Sequence, residues 1–181
     1  MARIPLFTTK ENVPSESHDI FDAIAESRGW IPGPFAVMLN SPQVAGRVAH
    51  LGAYLRFESV LSKEERELAT LTAAREIDCN YEWSLHVDLS RKAGVREEAI
   101  EIIGNRGSLD DLTEREALIV RYGRELIPNH TVSSETFAAA HEAFGDQGVV
   151  DLTVTIGYYT MLAFALNVFE VEPDPGTPRL P

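Results

Sequence analysis

The chain has 181 residues, 44% hydrophobic and 24% charged, with 28 acids against 16 bases and a net charge of −12. That length suits one domain with a sizeable core, and the composition excludes a disordered or fibrous chain. The basic residues are scattered through an acidic sequence, which argues against nucleic acid as a partner, because phosphate neutralisation needs clustered Lys and Arg.

The opening MARIPLFTTKENVP has no apolar run behind its basic residue and does not read as a signal peptide. Residues 17–29 place Ile20, Ala23 and Ile24 on one helical face and end at Gly29, a C-cap residue. The WIPGPF that follows reads as a rigid turn, since two prolines fix the backbone and Gly33 relaxes it. Residues 41–59 read as a helix with Ser41 at the N-cap and Pro42 at the first helical position.

Two matching helix starts come next. Ser62 is followed by Glu65, and Thr113 by Glu116. Both have capping-box form, in which the hydroxyl caps a backbone N–H and the carboxylate reaches back. The pair suggests two related helical halves. Asp78 is expected to cap a helix from Cys79 to Lys92, closed by Gly94, and a short helix over 96–103 leads into the acidic loop GNRGSLDD. Helices over 113–127, 134–144 and 147–169 complete an all-α domain over residues 1–171. The tail 172–181 carries four prolines and is expected to be extended, disordered or laid over a neighbouring subunit.

Residues 149–169 are about long enough to cross a bilayer. Asp151, Gly157, Asn167, two adjacent tyrosines and the absence of basic flanks favour instead a helix at the centre of a bundle or a subunit interface. The single cysteine, Cys79, cannot form an intramolecular disulfide, which fits a reducing cytoplasm.

Chemistry concentrates at DCNYEWSLH (78–86). At 100° per residue Cys79, Glu82 and His86 share one face of a helix. Glu82 and His86, four apart, can hydrogen-bond, and a carboxylate beside an imidazole fixes its tautomer and raises its basicity. A cysteine in the first helical turn gains from the helix dipole as a thiolate, whereas Asp78 and Glu82 oppose that charge. The ordinary alternatives are a surface Glu–His pair and a cysteine that fills a core. No second His or Cys stands at metal-ligand spacing, so no metal is expected. His18, His50, His130 and His141 are isolated and read as structural or surface residues.

Glu67, eleven residues, Cys79, two residues, Glu82, three residues and His86 form a pattern that resembles the carboxymuconolactone decarboxylase and alkylhydroperoxidase-D-like family. The peroxidase branch of that family carries Glu, eleven residues, then Cys-x-x-Cys-x-x-x-His, and here Glu82 stands at the second cysteine. The decarboxylase branch has a Glu-x-x-x-His matching Glu82 and His86, without paired cysteines. EERELATLTAA, SPQVAGRVAHLGAYLRFES and the segment from Val132 to Glu172 extend the similarity over nearly all of residues 20–172.

The resemblance implies an all-helical, alkylhydroperoxidase-D-like bundle that forms a homo-oligomer, with its site in a pocket near a subunit interface. It also implies a small-molecule substrate, and neither a nucleic-acid partner nor a membrane is expected. The expected activity is cofactor-free acid–base chemistry, decarboxylation or isomerisation, on a small organic acid or lactone. His86 would be the acid–base residue, Glu82 its orienting partner and Glu67 a second relay, with Arg56 and Arg75 as candidates for a substrate carboxylate. The first alternative is a one-cysteine peroxidase in which Cys79 passes through a sulfenic acid and is reduced by an external thiol. The second is a non-catalytic oligomeric binding protein.

Overall fold

The computed structural model describes residues 2–181, and its regular structure is helical throughout. Short 3-10 turns at Lys10–Asn12 and Ser15–Ser17 lead into α1 (His18–Arg28), α2 (Gly33–Met38), α3 (Pro42–Phe57), α4 (Lys63–Glu76), α5 (Asn80–Ala93), α6 (Glu97–Gly104), α7 (Glu114–Asn129) and α8 (Ser134–Val168). Both capping boxes form. Ser62 Oγ accepts from Glu65 N while Glu65 reaches back to Ser62 N, and Thr113 and Glu116 repeat the arrangement. Each such cap is worth about 1 kcal/mol.

The centre of the bundle is α4, packed between α5, α7 and α8. Every residue from Leu68 to Ala74 is buried, and the alanines and threonines of this run let the neighbouring helices come close. The apolar helix at the end of the chain, expected at the centre of the bundle or at a subunit interface, has one buried and one exposed face. α8 buries Leu152, Ile156, Leu162 and Leu166 while Val150, Val154, Met161, Phe164 and Val168 stay exposed. It is the one helix among the described residues long and apolar enough to cross a bilayer, and its inner face packs on α4 and α7. Asp151 is buried within it because Tyr54, Ser59 and the Val60 N–H all donate to its carboxylate, at 3.2, 2.9 and 3.0 Å.

Gly145 breaks α8 into the two expected segments. Its φ of 67° and ψ of −179° lie where only glycine is comfortable. α1, α2 and α3 form a second layer against α8, with Phe21, Ile24, Phe35 and Leu39 in its core. Two sequence expectations are corrected in this layer. Phe21 and Ile24, not Ala23, are the buried residues of α1. WIPGPF is not only a turn, because Pro34 occupies the first turn of α2 and starts a helix there.

The tail is extended, but it lies on its own subunit. Leu180 packs against the main core, its N–H donates to Asn80 Oδ1 at 3.1 Å, and Pro181 reaches Gly104. A turn at Asp174–Thr177, with Gly176 at positive φ, folds it back.

Candidate active site

α4 and α5 form a hairpin whose connection is Ile77–Cys79, and this fold-back brings Glu67 opposite His86. The helix start differs by one residue from expectation. Asp78 does not cap; it adopts a left-handed conformation, φ 51°, and pairs with Arg75 and Arg106. Cys79 is the N-cap, with extended backbone, and its carbonyl accepts from Trp83 N at 3.1 Å. Cys79 is fully buried beside Val37, Ala163 and Leu166. Burial pushes its thiol up to about 12, against which the nearby N–H groups of Glu82 and Tyr81 act more weakly.

Glu67, Glu82 and His86 come together as expected, with the roles of the two carboxylates exchanged. His86 Nδ1 is 2.7 Å from Glu67 Oε2, whereas Nε2 is 3.4 Å from Glu82 Oε2. Glu67 is therefore the tight partner and Glu82 the loose one. Burial alone would lower the basicity of this imidazole. The charge and hydrogen bond of Glu67, supported by Glu82, outweigh burial and push His86 up to about 10. At neutral pH it is an imidazolium between two carboxylates. Tyr159 lays its ring edge-on against His86, with centroids 5.0 Å apart, and Tyr158 does the same to Tyr159 at 5.3 Å.

A pocket of about 530 Å³ opens onto these groups, within the usual size range for a small-molecule site. Glu67, Glu82 and His86 form its polar floor, and Leu85, Leu89, Leu162 and Phe35 supply apolar wall. Cys79 does not line it. Two floor oxygens are buried without a partner, Glu82 Oε1 and Thr155 Oγ1. A buried polar atom left this way costs about 1–3 kcal/mol unless a ligand or water meets it.

Of the two arginines considered for a substrate carboxylate, Arg56 lines the pocket. Arg75 does not. It donates to Gly104 O at 2.6 Å and pairs with Asp78, so it fastens α4 to α6. Among the described residues no group of three or more His, Cys, Asp or Glu side chains is arranged to hold a metal ion.

Sequence reasoning missed Arg28, Thr155, Tyr158 and Tyr159 as pocket residues. For the last three a signal existed: Thr155, Tyr158, Tyr159 and Leu162 stand at helical spacing on one face of α8. Arg28 carried none.

Residues 42–121, from the first turn of α3 into α7, match the model of the carboxymuconolactone decarboxylase family. They contain Glu67, Cys79, Glu82 and His86. This region belongs to that family. No curated protein matches the sequence. The fold around the carboxymuconolactone decarboxylase region is similar to that of an uncharacterized peroxidase-related protein with an alkylhydroperoxidase core from Ralstonia eutropha JMP134. The two share 17% identity over 96% of this chain and 93% of that one, with a TM-score of 0.78. A second uncharacterized peroxidase-related protein, from Silicibacter sp. TM1040, is 16% identical over 96% of this chain and 94% of its own, with a TM-score of 0.75. The debrominase Bmp8 is 15% identical over 94% and 91% of the two chains, with a TM-score of 0.69. At these identities the likeness concerns the fold, which is all-helical and alkylhydroperoxidase-D-like.

Proposed function

We propose that the chain is an enzyme that moves protons on an organic acid or lactone, using groups of its own and no cofactor, with His86 as the acid–base residue. The observation that carries this reading is the placement of His86 on the pocket floor with a carboxylate at each ring nitrogen. Glu67 fixes the ring and its charge. Nε2, held loosely by Glu82, is the nitrogen with a proton to give.

In a decarboxylation the C–C bond breaks, CO₂ leaves, and the electron pair stays on carbon, where an adjacent unsaturated group must delocalise it. The Nε2 proton of His86 then adds to that carbon, and once the product has left, water entering the pocket returns a proton to Nε2 while Glu67 keeps hold of the Nδ1 proton. In an isomerisation Glu82, whose Oε1 has no partner, takes a proton from one carbon and His86 delivers one to another.

The peroxidase reading receives less support. Two of the similar structures are named peroxidase-related, but a thiol peroxidase needs a thiolate that peroxide can reach. Cys79 is buried, lies outside the pocket lining and has its thiol pushed up to about 12.

Self-association is part of the proposal. Val150, Val154, Gly157, Met161, Phe164 and Val168 are all exposed and follow one another at alternating spacings of four and three along α8. That is the seam with which a helix packs on another helix. No charged residue lies between Asp151 and Glu170, so two copies of this face can meet without repulsion. A second copy is the occupant this face fits.

The test is proton exchange at carbon. The protein is incubated in D₂O with a panel of unsaturated lactone acids and β-keto acids, and NMR follows enzyme-dependent C–D incorporation or loss of the carboxyl group. Turnover that His86→Ala abolishes is expected; turnover unchanged in His86→Ala overturns the assignment.

A further inference from the structure

A protein with 28 acidic and 16 basic residues would be expected to pair most of its cations, and outside this pocket it does. Beyond the pocket only Arg47 and Arg121 form no ion pair among the described residues. The pocket is different. Arg28, Arg56, Lys63, Arg66 and Lys92 all line it, and none has a carboxylate partner.

Arg28 is the most constrained of the five. Its guanidinium lies over the Phe35 ring at 4.1 Å, donates from Nη1 to Ser27 Oγ at 2.6 Å and from Nη2 to Ala49 O at 3.3 Å. Tyr158 touches it as well. The room for that contact comes from Gly52, where an added Cβ would stand 2.2 Å from Tyr158 Oη and 3.0 Å from Arg28 Nη2. Tyr158 Oη in turn donates to Val48 O at 3.2 Å. Partial burial lowers the pKa of this arginine, as expected for a charge removed from water without a counter-ion. A half-buried cation that four neighbours orient and no anion neutralises is a binding site awaiting its anion.

We infer that Arg28 is the anion-binding residue of this pocket and that the substrate is an amphipathic organic anion, its charged group on Arg28 and its reacting end over His86. The inference rests on the proposed function only in taking this pocket as the substrate site. Tyr158, which touches Arg28, and Tyr159, which packs on His86, are edge-on to each other in the pocket lining. The anionic group and the reacting carbon therefore sit at separate points of one pocket, joined by the body of the substrate. The leucines and Phe35 of the wall suit such an apolar body, and the unpartnered Glu82 Oε1 and Thr155 Oγ1 meet its polar reacting end. In a decarboxylation the group on Arg28 is thus a second anion rather than the carboxylate that is lost. Arg56 and Lys63 are exposed at the mouth and draw anions inward against the negative charge of the rest of the protein.

The test compares two fluorescent probes with the same aromatic body, anilinonaphthalene sulfonate and the neutral N-phenylnaphthylamine. Leu89→Trp, which fills the pocket, should weaken both, placing both there; an unaffected pair of affinities overturns the assignment of the probes' site and with it the inference. Arg28→Met should weaken the sulfonate roughly tenfold or more, the scale of one lost charge-assisted contact, and leave the neutral probe unchanged. Equal loss for both probes, or no loss for either, overturns the inference. Should Arg28→Met fail to fold, Arg28→Lys keeps the charge but loses the planar fork. The sulfonate's affinity then falls while the neutral probe's does not, and equal behaviour of the two probes refutes Arg28. Binding of the sulfonate persists in His86→Ala, so failure of the acid–base chemistry and failure of the anion site are separate results.

Discussion

His86 Nδ1 and Glu67 Oε2 lie 2.7 Å apart, joining the centre of α5 to the first half of α4. Glu67 is partly exposed to the pocket while His86 is almost wholly buried. The pair therefore connects a buried proton to solvent. A charge-assisted hydrogen bond of this length is stronger than a neutral one, and it decides the charge of the site.

Removing that charge should be visible at His86 itself. In Glu67→Gln only Glu82 remains to oppose burial, and the imidazole should fall from about 10 by roughly one to three pH units, the usual effect of one close opposite charge. Histidine NMR titration measures it. A value unchanged in the variant would mean that Glu82, not Glu67, sets the protonation state.

The same shift has a consequence for stability. The folded-state value of about 10 exceeds the ordinary 6.5, so folding favours the protonated form. The stabilisation is complete below about pH 6.5 and is lost as pH rises through about 10. Urea unfolding at pH 7 and pH 9.5 should show a lower midpoint at the higher pH, with a smaller difference in Glu67→Gln. Equal slopes in the two proteins would contradict the assignment.

Cys79 should behave as a core residue. The thiol is fully buried and pushed up to about 12, so native protein at pH 8 should leave a disulfide reagent such as dithionitrobenzoate unreacted, and unfolded protein should consume one equivalent. Cys79→Ser should retain turnover of any substrate found by the exchange assay. Rapid native labelling, or hydroperoxide consumption that Cys79→Ser abolishes, would restore the thiol peroxidase.

Asp151 holds α8 to the end of α3 by three donated hydrogen bonds. Asp151→Ala leaves Tyr54, Ser59 and the Val60 N–H without an acceptor, a loss of about 3 kcal/mol. For a chain of this size the melting temperature should fall by roughly 6–12 °C. A change of less than 2 °C, about the smallest shift per kcal/mol for this size, would show that water replaces the carboxylate at little cost.

The polar floor of the site was legible because it depends on short-range helix geometry. Glu82 and His86 are one turn apart, and Glu67 follows once α4 and α5 fold into a hairpin at Asp78. The position of Cys79 was misjudged by one residue because its neighbour is not a cap. Arg75 and Arg106 capture Asp78 from two directions, Arg106 from the end of α6, and no local pattern foretells that. Arg28 illustrates the rest. It reaches the pocket only because α1 packs on α3, because Phe35 lies under its guanidinium, and because Gly52 clears space for Tyr158. Each of these is a contact between elements distant in sequence. The most enclosed helix is α4, whose alanines and threonines are less hydrophobic than the α8 residues but small enough for four helices to surround them.

The exposed seam of α8 gives the last prediction. Phe164 is 58% and Val150 58% exposed, and with Met161 and Val168 they form an apolar strip that a solitary chain would leave in water. Strips of this kind mark interfaces. The wild-type protein should sediment as a dimer or larger assembly at micromolar concentration, and Phe164→Asp should shift it to the monomer, because the substitution puts two like charges at the centre of a self-complementary contact. Circular dichroism of the variant should be unchanged, since Phe164 contributes nothing to the core of its own chain. A wild-type protein that is monomeric throughout that range would assign the strip to a different occupant.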